Sequence, residues 1–285
     1  MIATVSHPGP ISPDRLDILR ANGTPVKLTL AAGIPLELAV AEALQEIGCA
    51  NSAYLELTKA NVSELAYVMP AHAADEEHVA WYSEVQRWDG AGVIHHLGMI
   101  VGHREHRCFV HGHGTWTPKG GACAMGHILS QMTVLENPAV VTGFALCGAR
   151  FEGRHDPETN FTLFRPMLHG IAAGTDACFA VLRILPNQDL DIALDTACEV
   201  LGWQSARAWG VGSINMPHFS DGRVLDSLPT ELLILDAICR ADGESSMGAE
   251  IRVVGTDPSQ IEQGHLARGS NGVLITAEIV LRRET

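Results

Sequence analysis

The sequence has few basic residues, no long uncharged apolar run and no paired cysteine spacing. Its 19 lysines and arginines face 33 aspartates and glutamates, for a formal net charge of −14. Such a surface repels phosphate backbones and anionic lipids, and no Lys/Arg cluster offsets it, so we expect DNA to be an unlikely partner. No apolar segment approaches the roughly 20 residues that span a bilayer. We therefore expect no membrane partner.

Cysteine usage and the first residues suggest the compartment. The seven cysteines are scattered and odd in number, which fits free thiols in a reducing cytoplasm better than a disulfide framework. The opening "MIATVSHPGPISPDRLDIL" has neither a basic start nor an apolar run and makes a poor secretory signal. We expect a cytoplasmic protein. Its 285 residues, 46% of them hydrophobic, allow one or two domains.

The chain repeats itself. Residues 26–48, "VKLTLAAGIPLELAVAEALQEIG", align without a gap with residues 180–202, "AVLRILPNQDLDIALDTACEVLG". Both segments predict a short alternating strand, a Gly or Pro turn and an amphipathic helix that ends at a glycine. Three further matches follow in the same order, the last between "GHILSQMTVLENPAVVTG" and "GHLARGSNGVLITAEIVL". We predict an α+β fold of two tandem modules, residues 1–167 and 168–285.

Three histidines lie close together in "CFVHGHGTWTPKGGACAMGHIL", residues 108–129. Because residues i and i+2 of a strand point to one face, His111 and His113 present their imidazoles side by side. His127 returns after a glycine-rich loop. Three neutral imidazoles suit zinc or a similar divalent ion, and three protein ligands leave a fourth position for water or substrate, as in catalytic sites. The alternative is that these are ordinary surface or core histidines in a chain that has 14.

Two other kinds of metal site can be compared with this segment. A cupin would need a glutamate four or five residues beyond the second histidine, and "GTWTPKG" has none. A structural zinc site that uses Cys108 and Cys123 matches no finger or ribbon spacing. Cys123 remains a candidate for a fourth ligand.

The segments "FVHGHG", "GGACAMGHIL" and "VLENPAVVTGFALCGARFE" resemble the plants-and-prokaryotes conserved (PPC) domain. The second half resembles it through "AWGVGSI" and "GHLARGSNGVLITAEIVL", so the likeness covers nearly the whole chain, residues 24–165 and 177–283. The resemblance implies an α/β sandwich with a mostly antiparallel or mixed sheet, and trimers built by strand exchange. It also implies that His111, His113 and His127 are metal ligands.

The sequence departs from the PPC pattern in two places. It lacks the Arg-Gly-Arg-Pro hook that stands beside the domain in plants and grips DNA. In the first half, "LELTKANV" stands where a glycine-rich turn is expected, whereas the second half keeps such a turn in "GVGS".

The second module has lost two of the three histidines. Arg252 stands where the first module has His111, Val254 replaces His113, and His265 matches His127. Since valine cannot bind a metal and arginine does not release its proton, we expect the second module to be metal-free. Arg252 is a candidate to bind a substrate carboxylate, with a surface ion pair as the alternative.

Three further polar residues are candidates for catalytic roles. Glu105 or Glu56 can act as general acid or base if the fold brings it near the metal, and Lys59 can hold the substrate. Most polar residues of "GHREHR" are expected in a solvated hairpin turn before the ligand strand.

These observations favour a metal-dependent hydrolase or lyase that acts on a small polar molecule. A molecule with a carboxylate group is one candidate substrate. The alternative is a ligand-sensing or DNA-associated regulatory protein with a structural metal, and a scaffold trimer without a ligand is a third reading. We expect three chains to stack two rings of modules, which closes every sheet edge. Pairing of the two modules within one chain is the alternative arrangement.

Overall fold

Two modules with the same order of elements follow each other along the chain. The computed structural model describes residues 4–49, 52–244 and 247–284. The elements of the first module are β1 (Leu16–Leu30), α1 (Leu36–Glu46), β2 (Ala53–Val68), β3 (Pro70–Ala71), β4 (Trp81–Tyr82), β5 (Gln86–Arg104), β6 (Arg107–Pro118), β7 (Ala124–Ile128), β8 (Val134–Leu135), β9 (Ala139–His155) and β10 (Thr162–His169).

The second module repeats the strand–helix–strand start and the later hairpins in shorter form. Its elements are β11 (Phe179–Ile184), α2 (Leu190–Leu201), β12 (Ser205–Ile214), β13 (Glu231–Asp236), β14 (Ile238–Arg240), β15 (Glu250–Val254), β16 (Ile261–His265) and β17 (Val273–Arg283). The predicted α+β fold of two similar modules is thus confirmed. The predicted boundary after residue 167 lies within β10 and stays a prediction.

The two helices form where the repeat predicts them. In α2 the Asp189 side chain accepts a hydrogen bond from the backbone N–H of Ile192 at 3.1 Å, which caps the first turn. The helix ends at Gly202, whose φ of 64° is the left-handed conformation that glycine adopts without strain. Both helices bury an apolar stripe against their own sheet. No helix among the described residues is both long and apolar enough to cross a bilayer.

Strand β1 joins the two modules into one sheet. Its residues 16–21 pair antiparallel with β11, and its residues 22–30 pair antiparallel with β9. Among the residues that the structure describes, the sheet has 15 strands. Almost all its pairings are antiparallel, while β5 and β9 meet in parallel. The mostly antiparallel, mixed sheet is as predicted, and the N-terminal strand is shared between modules of one chain.

Apolar residues form three clusters in layers. One packs α1 on the strands of the first module, and another packs α2 on the strands of the second module. The third fills the space between the modules. The third cluster contains Tyr54, Ile100 and Phe144 of the first module with Leu233 and Val280 of the second. The site described below lies beside this third layer, because its strands β5, β6 and β13 also contribute to it.

The register of the hairpins confirms one expectation and corrects another. Strands β5 and β6 meet in a tight turn at Glu105 and His106, both at positive φ, as "GHREHR" predicts. The predicted match of His265 with His127 is not reproduced. His127 pairs with His113, whereas His265 pairs with Glu250, four residues before Val254. The β15–β16 hairpin therefore has a different register from the β6–β7 hairpin.

Candidate metal centre

The structure brings His111, His113 and His127 together. His111 and His113 lie on one face of β6, and His127 lies opposite His113 on the neighbouring strand β7. One ring nitrogen from each lies within 4.8 Å of the others. The His111 and His127 rings are stacked, with centroids 4.9 Å apart. The i, i+2 rule and the hairpin thus predicted the cluster correctly, and metal binding by the cluster stays a prediction.

Residues of the second module hold two of these imidazoles. The Nδ1–H of His113 donates to the carbonyl oxygen of Leu232 at 2.8 Å. Nδ1 of His111 is hydrogen-bonded to the carboxylate of Glu278, which is fully buried. Such outer partners fix the tautomer and the orientation of metal-binding histidines. The second module therefore orients the side chains of the first.

These hydrogen bonds test whether the residues fit a metal ion. Because both Nδ1 atoms face acceptors, the Nε2 atoms of His111 and His113 present lone pairs to each other at 3.1 Å. With Glu278 ionised, a cation between the rings stabilises that arrangement, either a proton on one ring or a metal ion. The buried Nδ1 of His127 also has no hydrogen-bond partner. The donor set is therefore suited to zinc or a similar divalent ion.

Burial also favours the metal-binding form of the histidines. Desolvation lowers the pKa of His113 and of His127 well below the usual value, and the neighbouring imidazoles lower both further. Neutral histidine is the form that coordinates a metal. Burial raises the pKa of Glu231 well above its usual value, against the opposing effect of a hydrogen bond from the His127 backbone. Glu231 is the first residue of β13, with Oε1 4.0 Å from Nε2 of His113.

A cavity adjoins the histidines on the side of the first module. Its volume is about 490 Å³, and its walls include His111, His127 and Glu278. Tyr82 of β4 borders this cavity, and its ring lies 5.5 Å from that of His127. A small molecule that enters this cavity meets the exposed side of the cluster.

The three candidates for catalytic roles lie apart from this cluster. Glu105 is exposed at the tip of the β5–β6 hairpin, six residues from His111, which is up to roughly 20 Å along the strand. Glu56 lies two strands away from His113 and accepts a hydrogen bond from the Tyr54 hydroxyl at 2.8 Å. Lys59 is exposed, with φ of 53°. Their catalytic roles stay predictions.

Arg252 lies at another cleft between the modules. Its guanidinium donates two hydrogen bonds to Oε1 of Gln263, at 2.7 and 3.2 Å, and its Nη1 lies 3.4 Å from the Thr115 hydroxyl. Both of these partners of the guanidinium, Gln263 and Thr115, are uncharged. The cleft has a volume of about 920 Å³ and is also bordered by Trp88 and Cys123. Arg252 is therefore free to bind an anion.

The two cysteines near the histidines differ in position. Cys108 is three residues before His111, on the opposite face of β6, and packs against the core of the first module. Burial raises the pKa of its thiol to about 12, so it stays protonated near neutral pH. Cys123 is exposed in the loop before β7. Its role as a fourth ligand stays a prediction.

Sequence reasoning missed the contributions of the second module. Glu231, Leu232 and Glu278 lie more than 100 residues from the histidines they contact, and no local spacing connects them. One signal was present. Glu278 in "ITAEIVL" is a single acid inside an apolar strand, and Glu231 in "TELLIL" directly precedes an apolar run; a charge at such a position needs a buried partner.

Comparison with solved structures gives matches to about half of this chain. A PPC protein from Pyrococcus horikoshii is 16% identical, with a TM-score of 0.35, over 56% of this chain and 99% of its own. A metal-containing protein from Archaeoglobus fulgidus is 20% identical, with a TM-score of 0.39, over 51% and 95%. A candidate DNA-binding protein from Bacteroides thetaiotaomicron is 11% identical, with a TM-score of 0.38, over 51% and 96%. A PPC protein is thus among these similar structures, as the resemblance implies. No protein-family model and no curated protein matches the sequence.

The expectation that DNA is an unlikely partner is corrected. It conflicts with the description of the Bacteroides protein, and it rested on net charge and on the lack of a Lys/Arg run. The fold brings basic residues together from separate strands. Exposed Arg104 and Arg107 lie at the β5–β6 hairpin, and β9 with Arg150 and Arg154 runs beside it where His103 meets Glu152. Net charge is an average over the surface and does not report such a local patch.

Proposed function

We propose that the chain is a ligand-sensing or DNA-associated regulatory protein with a structural metal ion held by His111, His113 and His127. One observation carries this proposal: the second module supplies the hydrogen bonds that orient His111 and His113. An ion bound there ties the two modules together. Zinc is the ion we propose, because imidazole nitrogens are among its usual ligands.

The burial of the site supports a structural role for the ion. His113 is only 2% exposed, and Glu278 is fully buried. A zinc ion bound in this position supplies stability, because it binds the folded chain and not the unfolded one. The residues around it then serve to orient ligands and exclude water.

Metal removal tests this role. We expect the metal-free protein to unfold at a lower temperature than the zinc form, and added zinc to restore the difference. Binding at 1,000 times the dissociation constant stabilises a protein by about 4 kcal/mol. Identical melting curves with and without zinc, for protein whose metal content is known by elemental analysis, would refute a structural ion.

The basic patch around Arg104 and Arg107 is the surface we propose for DNA. Both side chains are exposed, and β9 adds Arg150 and Arg154, which share the single acid Glu152. Phosphate contacts make binding weaken steeply with salt. We expect a mobility shift with a random-sequence duplex at low salt and loss of it when Arg104 and Arg107 are both changed to alanine. Arg240→Ala, at an arginine paired with Asp242 on the second module, is the matched control. No mobility shift at micromolar protein concentration would refute the proposed DNA binding.

The cleft at Arg252 is the site we propose for a small anionic ligand. The guanidinium is held in place by Gln263, and Trp88 offers an apolar wall. A bidentate arginine suits a carboxylate. Screening carboxylic acids by thermal shift, with Arg252→Gln as the comparison, tests this site. A stabilisation that persists in the variant would argue against it.

A metal-dependent hydrolase or lyase is the second candidate. The observation in its favour is the cavity of about 490 Å³ beside His111 and His127, which gives a small substrate access to the cluster. Glu56, Glu105 and Lys59 are the residues that we would then expect to affect the rate. Turnover of ester or carboxylic acid substrates that requires zinc and is lost in His113→Ala would favour the enzyme over the regulatory protein. The free cysteines are compatible with the cytoplasm, which we propose as the compartment.

A further inference from the structure

The carboxylate of Glu231 lies buried beside the histidines with one oxygen unpaired. Glu231 belongs to the second module and is only 5% exposed. Its Oε1 is 4.0 Å from Nε2 of His113, and its buried Oε2 has no hydrogen-bond partner. A buried carboxylate without a cation or a full set of donors costs free energy. Either a proton on the carboxyl group or a cation next to it offsets this cost.

The protein itself does not provide that cation. In the described ranges, no lysine or arginine nitrogen lies within 4.0 Å of the Glu231 carboxylate, and His113 is its sole ionisable contact at that distance. His113 donates its Nδ1–H to Leu232, so the nitrogen near Glu231 carries a lone pair rather than a proton. Oε1 of the carboxylate lies 4.0 Å from the nitrogen that carries this lone pair. An ion held by the histidines would satisfy both.

One donor pair already has the spacing of a shared ion, whereas the full set of histidine donors spreads over 4.8 Å and must close around it. Two donors bound to one zinc at the tetrahedral angle lie about 3.3 Å apart, for metal–ligand distances of about 2.0–2.1 Å. The Nε2 atoms of His111 and His113 are 3.1 Å apart. Oε1 of Glu231 needs to move less than about 1 Å to reach this spacing from His113, and rotation of the carboxylate supplies that movement.

The second acid at the site has a different position. Glu278 is hydrogen-bonded to Nδ1 of His111, the nitrogen that points away from the cluster, and Oε1 accepts from the Thr276 hydroxyl at 3.4 Å. Its carboxylate orients a ligand and is not itself available to the ion. Of the two acids, Glu231 is the one whose Oε1 lies near a ligand nitrogen of the cluster and whose Oε2 has no hydrogen-bond partner.

We infer that Glu231 is the fourth metal ligand, so that three residues of the first module and one of the second hold the same ion. This inference rests on the proposed metal centre. Four protein ligands close the coordination sphere, which is the pattern of structural zinc sites. In the second module, Arg252 and Val254 stand where the first module has His111 and His113. The second module thus still contributes to metal binding, through Glu231 on β13.

Cobalt(II) binding tests the inference, because its visible spectrum reports the number and kind of ligands without any enzyme assay. The variants are Glu231→Gln, which keeps the size but removes the charge, and Glu278→Gln, which removes an orienting group. His113→Ala removes a histidine ligand, and Glu199→Gln is a control at an exposed acid of α2. Zinc affinity is measured in parallel by competition with a chelator, and folding by circular dichroism.

We expect Glu231→Gln to lose more than about 100-fold in zinc affinity and to change the cobalt spectrum. Loss of an orienting partner lowers metal affinity by about 10–100-fold. Glu278→Gln should therefore weaken zinc binding by that factor and leave the positions of the cobalt absorption bands unchanged. His113→Ala should bind little metal, and Glu199→Gln should match the parent chain.

Two results overturn different statements. If Glu231→Gln keeps the parent affinity and spectrum while His113→Ala loses the metal, Glu231 is not a ligand and the three-histidine centre stands. If His113→Ala retains the full metal content, the centre itself is wrong. Should Glu231→Gln fail to fold, Glu231→Asp takes its place, because it keeps the charge and withdraws the carboxylate by one methylene. An unchanged cobalt spectrum in that variant also overturns the inference.

Discussion

Replacement of Gly98 by alanine should weaken both the contact between the modules and metal binding. Gly98 lies on β5 opposite His113. A Cβ at this position would be 2.3 Å from Cδ1 of Leu233 in the second module and 3.0 Å from the Tyr54 hydroxyl. Leu233 and Tyr54 are almost fully buried, so neither can move into solvent. We therefore expect the Leu233 side chain to move and to displace the strand β13 that carries it.

The size of the effect follows from these contacts. Overpacking a buried site costs about 1–3 kcal/mol of unfolding free energy. A shift of Leu233 also moves Leu232, whose carbonyl oxygen accepts the hydrogen bond from His113. Disturbing such an outer partner lowers metal affinity by about 10–100-fold. The substitution thus affects two measurements through one displaced strand.

Urea unfolding and zinc competition measure the two effects. Gly121→Ala is the control, because a Cβ there meets its nearest atom at 3.4 Å, an ordinary contact. If Gly98→Ala leaves both the unfolding free energy and the zinc affinity at the level of the control, the described packing between the modules is wrong. A loss of stability with unchanged zinc affinity would separate the packing from the metal centre.

Three more predictions concern the histidines, one buried acid and the assembly. His113→Ala should remove most bound metal and His265→Ala should not; equal metal contents by elemental analysis would contradict this. Asp191→Asn should change how stability depends on pH, because burial raises the pKa of Asp191 to about 7 although its carboxylate accepts a hydrogen bond from the Ala249 N–H. The folded chain thus holds this proton more tightly than the unfolded one, and the stability that it contributes is complete below about pH 4 and is lost as the pH rises through 7. The pKa shift from 3.8 to about 7 corresponds to about 4 kcal/mol of unfolding free energy. Relative to the parent, the variant should therefore gain up to that stability at pH 8 and little at pH 4, as measured by urea unfolding at several pH values. Parallel plots of unfolding free energy against pH for the two proteins would refute this role of Asp191. The trimer that the resemblance implies stays a prediction, and light scattering should give the mass of three chains rather than one or two of 30.5 kDa.

The sequence predicted the parts of the molecule that depend on local periodicity. The i, i+2 spacing of His111 and His113 was enough to place both on one face of a strand, and the repeat located α2 from α1. Register within a hairpin was not predictable, because the loop length and turn shift every pair, and His265 lies opposite Glu250 as a result.

Contacts between the modules could not be predicted either. The Glu278 carboxylate reaches His111 because the modules pack face to face, and a pattern within either module does not contain that information. The same holds for the arginines of the basic patch. Arg104 and the β9 segment between Arg150 and Arg154 are distant in the sequence, and they come together where β5 meets β9.

The shared strand β1 determines how this protein can be divided. A chain cut at the predicted boundary leaves β11 without the partner that residues 16–21 provide. A free strand edge invites pairing with other chains, so the second module produced alone should aggregate or capture the edge of another copy. The C-terminal half becomes a separable unit only when a peptide equivalent to residues 16–21 is fused to it. A circular permutation that places this strand directly before β11 would do the same, and the N-terminal half would then expose its own edge instead.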